Sequence, residues 1–195
     1  MSAGALAESG ADAVCRTRYD YWMAHAYRRR NDDLLAKMLA SWEVGIGALP
    51  ARLGLAREAF HALLVTHFPG AEPTRIMDSD AEAEREREPE RVDLVALLGA
   101  HRAGLEPSEL WLSGIVAAAC MAGDHLWQDL GLWSRADLGR LMHANFPVLA
   151  QRNVHDMKWK RFLYKQLCQA EGVYVCRAPS CEVCVDYAEC FGPEE

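Results

Sequence analysis

Residues 110–123, LWLSGIVAAACMAG, decide the fold. Apolar side chains run almost all the way round a helical projection of this stretch, and a helix that is hydrophobic on every side belongs at the centre of a core. Pro107, Ser108 and Glu109 directly precede it and open the helix, since proline is tolerated at the first helical position. Cys120 falls inside the stretch and reads as a small buried hydrophobe, because unpaired cysteines are among the most buried residues.

Amphipathic patterns flank this central helix. Leu34, Leu35, Met38, Leu39 and Trp42 lie on one helical stripe, with Asn31 or Asp32 placed to cap it. A second helix is expected over 56–67, with Phe60, Leu63, Leu64 and His67 or Phe68 inward and Pro69-Gly70 as its stop. The apolar pattern resumes over 92–100 and halts at Gly104; Ser134 with Asp137 three positions later resembles a capping box for a helix ending before Pro147. Strand signals are scarce, so the expected class is all-α: a compact multi-helix domain followed by an irregular C-terminal cysteine loop.

Leu49, Leu53, Gly54 and Leu55 recur 77 positions later as Leu126, Leu130, Gly131 and Leu132, and Leu63, Phe68 and Pro69 recur 78 positions later as Leu141, Phe146 and Pro147. Two readings stand: two related helical units, or two amphipathic helices with proline stops that look alike. Residues 1–15 are expected to form a flexible N-terminus and 16–172 a helical domain with an acidic linker around 71–91. Residues 173–195 form the cysteine loop.

The chain has 195 residues, a net charge of -7 and seven cysteines. No stretch approaches the ~20 apolar residues that span a bilayer and the N-terminus lacks a signal-peptide pattern, so a soluble, cytoplasmic protein without a membrane partner is expected. The acidic balance argues against nucleic acid, whose phosphates call for a surplus of Lys and Arg. An odd cysteine count crowded at one end suits metal ligation better than a disulfide framework.

Cys176, Cys181, Cys184 and Cys190 follow the spacing C-x4-C-x2-C-x5-C. Four soft thiolates select zinc, copper(I) or an iron-sulphur cluster. Structural zinc sites usually show two C-x2-C knuckles and this segment has one, so the uneven spacing leans toward a cluster while leaving zinc open. Ordering ~15 residues after Gly172 costs roughly 15–30 kcal/mol of backbone entropy, much of which metal coordination must offset.

The helix over 156–170, DMKWKRFLYKQLCQA, places Trp159, Phe162, Leu163, Gln166, Leu167 and Ala170 on its core-facing stripe, with Gly172 as its stop. Cys168 lies at the edge of that stripe and is either a structural cysteine or a fifth ligand. His155, at the far end of a helix about 22 Å long, reads as a cap-region residue, distant from the loop unless the tail folds back. Asp124 and His125 form a surface turn or a supplementary ligand pair. His25, His61, His67, His101 and His143 lack metal-ligand spacing. Arg152, Lys158, Lys160, Arg161 and Lys165 oppose one acid, Asp156, and make either a solvated face or an electrostatic partner for an anionic cluster.

The segments VHDMKWKRFLYKQLC (154–168) and EGVYVCRAPSCEVCVDYAECFG (171–192), together with LWQDLGLWSRADLGRLMHANFP (126–147), resemble the NifQ family of nitrogen-fixation proteins. The resemblance covers most of the chain from about Ala40 onward and includes all four tail cysteines. It implies an iron-sulphur molybdoprotein that assembles or carries a Mo-Fe-S cluster, of 4Fe-4S or Mo-3Fe-4S type. Such a protein donates molybdenum for the iron-molybdenum cofactor of nitrogenase. The implied partners are a molybdate source, the NifEN scaffold complex and NifH. Because molybdenum in a cuboidal cluster keeps coordination unfilled by one cysteine, Cys168, and after it Asp124 or His125, become candidates for a replaceable ligand. Lys158, Lys160 and Arg161 become candidates for charge neutralisation or molybdate steering. No nucleophile-base pair or nucleotide loop is present, so a metal carrier rather than an enzyme is expected, with cluster conversion the one activity left open. The alternatives are an iron-sulphur DNA-repair glycosylase-like protein and a zinc-stapled interaction module.

Overall fold

The computed structural model describes residues 10–75, 88–170, 172 and 190–192. The described residues form helices and turns only: α1 Gly10–Ala24, α2 Asp32–Glu43, a 3-10 turn Ala51–Gly54, α3 Arg57–His67, α4 Glu88–Ala100, α5 Ser108–Cys120, α6 Leu126–Asp129, α7 Arg135–Asn145, α8 Pro147–Arg152 and α9 Trp159–Ala170. None of these helices is long and apolar enough to cross a membrane. The N-terminal boundary expected at residue 15 falls inside α1, where Cys15 and Trp22 are buried and Tyr19 stacks at 4.8 Å on Trp133. Cys15, Tyr19 and Trp22 are an i, i+4, i+7 stripe diluted by arginines and alanines.

The internal repeat organises the whole frame. Shifted by 77 or 78 positions, α1, α2, the 3-10 turn and α3 fall on α4, α5, α6 and α7, and Phe68 (φ -135°, ψ 61°) falls on Phe146 (φ -132°, ψ 57°) at the ends of α3 and α7. The halves meet through equivalent positions. A Cβ on Gly54 would lie 2.6 Å from the Ala118 Cβ, and one on Gly131 would lie 2.7 Å from the Ser41 Cβ. Ser41 and Ala118 are themselves a repeat pair, and both glycines have positive φ, +78° and +67°. Each half therefore inserts a glycine corner against the long helix of the other.

Between the halves lies a fully buried amide pair. Asn31 Nδ2 donates to Asn145 Oδ1 at 2.8 Å, and Asn145 Nδ2 returns a bond to Asn31 Oδ1 at 3.0 Å. The remaining amide protons go to Ser108 Oγ at 2.9 Å and to the Leu141 carbonyl at 2.9 Å. All four N–H donors are satisfied, the condition under which burial of two amides is tolerated. Asn31 stands at the start of α2 as expected, but its side chain makes this bridge instead of capping the helix. Ser134 does cap α7, accepting from the Asp137 N–H at 3.1 Å. The Asp137 carboxylate reaches Lys37 and Arg140, joining α7 to α2.

α5 is central, as its all-round hydrophobicity requires: residues 112–120 are all buried, Cys120 among them. Buried Glu109 is held by the N–H groups of Gly104, Leu105 and Glu106 at 2.6, 3.0 and 3.1 Å. Its repeat counterpart, Asp32, accepts from the Arg29 N–H at 2.7 Å and pairs with His67 Nδ1 at 2.6 Å. His67 is fully buried and occupies the position that Asn145 holds in the second half.

Two predictions follow from this packing. Gly131→Ala adds a methyl group into Ser41 at positive φ and should cost roughly 2–4 kcal/mol, read as a lower urea midpoint with unchanged slope. Burial depresses the His67 pKa, only partly opposed by Asp32. The unfolded chain therefore takes the proton first, and stability falls as pH drops below about 6.5. His67→Asn, which installs the residue of the second half, should flatten stability between about pH 6.5 and 5, and an unchanged slope would assign that dependence to other groups.

Candidate metal-carrying segment

α9 is the element that joins the frame to the cysteine segment. Trp159, Phe162 and Leu163 are buried, and Tyr164 reaches Glu90 on α4 at 3.3 Å, so α9 lies against the second half. Its first turn is fixed by Lys160, whose Nζ pairs with buried Asp129 of α6 and donates to the Ala122 carbonyl at 2.9 Å. Lys160 is therefore committed to the interior, contrary to the expectation that it faces a cluster or steers molybdate. Lys158 and Arg161, half-buried and exposed, retain that possibility of position.

Of the four tail cysteines, Cys176, Cys181 and Cys184 lie outside the described residues, and Cys190 is described. The Lys158 N–H donates to the Cys190 carbonyl at 2.8 Å, and Phe191 packs on the core. The chain thus leaves α9 at Gly172, which has the positive φ of a helix stop (+70°), and has returned to the opposite end of α9 by Cys190. α9 is about 18 Å long at 1.5 Å per residue, far less than the contour between Gly172 and Cys190 at roughly 3.3 Å per residue, so ample length remains between the two anchors. This return is the fold-back that brings His155 near the end of the tail: it lies in the α8–α9 connector, and His155 and Phe191 line one cleft.

Cys168 is half-buried near the C-terminal end of α9. Ten residues of helix separate it from Lys158, about 15 Å along the axis, so α9 holds Cys168 and Cys190 toward opposite ends. Asp124 and His125 occupy the α5–α6 turn, where Gln128 Oε1 accepts from the His125 N–H at 3.2 Å. Lys160 grips that same turn at Ala122, so the turn stands at the α9 end that Cys190 approaches. No group of three potential His, Cys, Asp or Glu ligands gathers among the described residues.

The connector before α9 is closely built. Asn153 bridges Met157, accepting from its N–H and donating to its carbonyl, both at 2.9 Å. Asp156 takes positive φ (+51°) and pairs with Arg135 at 2.7 Å. The connector and α9 border a cleft of 280 Å³ containing Arg152, His155, Lys165 and Gln166. Gln166, read from the sequence as part of the core stripe, faces this cleft. A glutamine within an apolar stripe was the signal for a wet site there.

These features define a class of protein: a duplicated all-helical frame whose last helix receives back a cysteine-bearing C-terminal segment. A family model described as NifQ matches residues 34–192. Protein NifQ of Azotobacter vinelandii is 44% identical over 187 residues, 91% of this chain and 96% of that protein. Protein NifQ of Klebsiella pneumoniae is 38% identical over 169 residues, covering 82% and 97% of the two chains. Protein NifQ of Rhodobacter capsulatus is 37% identical over 162 residues, covering 83% and 87%. The chain belongs to the NifQ family, a family of nitrogen-fixation proteins. No solved structure matches it.

The Lys160–Asp129 pair gives a direct test of how α9 is held. Lys160→Met strands a carboxylate that is 2% exposed and should cost roughly 3–5 kcal/mol in urea unfolding. The double variant Asp129→Leu/Lys160→Met should recover most of that loss. Equal instability of the single and double variants would mean that the pair does not fix the helix.

Proposed function

We propose that the protein holds an iron-sulphur cluster on Cys176, Cys181, Cys184 and Cys190 and carries molybdenum as cargo for nitrogenase cofactor assembly. The observation that carries this reading is the tether of Cys190 to the first turn of α9. It supports a cysteine segment closed at both ends on a rigid frame, with four soft donors within fifteen residues. The donor set fits such a cluster in chemistry. The start of α9 supports it electrostatically, since a helix N-terminus and the charges of Lys158 and Arg161 favour an anionic centre. When bound, the cluster supplies sulphide ligands to molybdenum.

The chain's own part is to retain and to release. Thiolates retain the cluster, while a weaker oxygen or nitrogen ligand suits the molybdenum corner because it exchanges more readily. The position of the α5–α6 turn favours Asp124 or His125 for that role over Cys168, which α9 carries toward its other end. Delivery to the NifEN scaffold together with NifH completes the reading, with the protein acting as donor in the cytoplasm. Membership of the NifQ family supports this over a DNA-repair glycosylase-like role.

Anaerobic purification of the wild type and Cys184→Ser, with iron and sulphide quantified, tests the reading. The wild type should be brown and contain both elements. The variant should lose most of its iron while keeping its helical circular dichroism. A colourless wild type containing zinc would instead support a zinc-stapled module.

A further inference from the structure

The cleft between the α8–α9 connector and α9 has the composition of an anion site. Arg152 enters from the end of α8, His155 from the connector, and Lys165, Gln166 and Gln169 from one face of α9. Among the described residues none of those lining it is acidic, although the chain as a whole has 28 acids against 21 Lys and Arg. Met157 and Phe162 supply apolar wall, while Arg152 and His155 are exposed and Lys165 is half-buried, so an anion can reach all three cations from solvent.

Its polar groups come from more than one direction. A planar carboxylate is satisfied by a single arginine fork, whereas a tetrahedral dianion offers oxygens to donors on several sides. The two supports of the cleft are held in place independently of any ligand: the connector by the Asn153–Met157 bridge and the Arg135–Asp156 pair, and α9 by Lys160. Gln166 Nε2 donates to Gln169 Oε1 at 3.0 Å, and among the described residues the Gln169 amide N–H groups meet no acceptor. Phe191, on the wall, directly follows Cys190, so an anion in the cleft would lie beside the end of the cysteine segment.

We propose that this cleft binds a tetrahedral oxyanion through Arg152, His155 and Lys165, and that molybdate is its occupant, held next to the cysteine segment before its metal is taken up. The identity of the occupant rests on the function proposed above; the oxyanion site rests on the cleft. The site is built from side chains other than the cysteines, and it moves the anion-binding role from Lys160 to Arg152, His155 and Lys165.

Equilibrium dialysis of sodium molybdate against the full-length, anaerobically purified protein tests it, with iron measured in the same samples. Arg152→Gln and Lys165→Gln should each weaken molybdate binding by roughly tenfold or more, with iron content and circular dichroism unchanged. Arg30→Gln, on the first half, should leave binding unchanged. Absence of molybdate binding to the wild type, equal binding by all variants, or loss of iron in the cleft variants would overturn the proposal. Sulfate that competes as well as molybdate would overturn the assignment of the occupant. Cys184→Ser separates the two readings: iron lost with molybdate binding kept supports both, whereas iron kept in that variant refutes the four-thiolate cluster and leaves the cleft standing.

Discussion

The reciprocal amide pair of Asn31 and Asn145 is the constraint on which the frame depends. Each residue starts or ends a helix in its own half, and neither amide can be satisfied without the other half in register. A slip would strand buried donors and acceptors, at a cost of about 1–3 kcal/mol for each unpaired group. The reciprocal insertion of Gly54 and Gly131 fixes the same register by shape. Polar and steric complementarity therefore specify one pairing of two similar halves, where hydrophobic burial alone would tolerate several.

The halves are alike in backbone and unlike in chemistry. His67 and Asn145 occupy equivalent positions, as do Asp32 and Glu109, yet the first half buries an ion-pairing histidine and the second a neutral amide. Only the second half carries the attachment for α9, because Asp129 of α6 receives Lys160, while the matching 3-10 turn presents Arg52 at that position. Duplication supplies a stiff body, and one buried carboxylate breaks its symmetry by selecting the side on which the cysteine segment is mounted.

Much of this frame was legible in the sequence. The all-round apolar run identified α5 as the central helix, and glycine and proline spacing hinted at the repeat. The reach of the repeat was hidden, because α1 and α4 share a position but little pattern, and because pairing across the halves is made by isolated residues such as Asn31 and Ser108. The tail cysteines stood out by spacing alone, and the metal they would hold remains part of the proposed function. The return of Cys190 to the start of α9 could not be read, since the Lys158–Cys190 bond is a backbone contact with no side-chain signature. For the same reason the position of His155 hung on whether the tail folds back, and Lys160 did not stand out from the other basic residues around it. A lysine that neutralises a buried aspartate thirty-one positions away looks, in one dimension, like any other basic residue.

The structure places the α8–α9 connector, a cationic cleft and the last tail cysteine together beside α9, and the proposed role brings molybdenum and sulphide together there. Molybdenum X-ray absorption measures that meeting most directly. After anaerobic incubation with molybdate under reducing conditions, the account predicts sulphur neighbours and a heavier iron shell around molybdenum. Molybdenum surrounded by oxygen alone, in a protein that still contains its iron and sulphide, would contradict it.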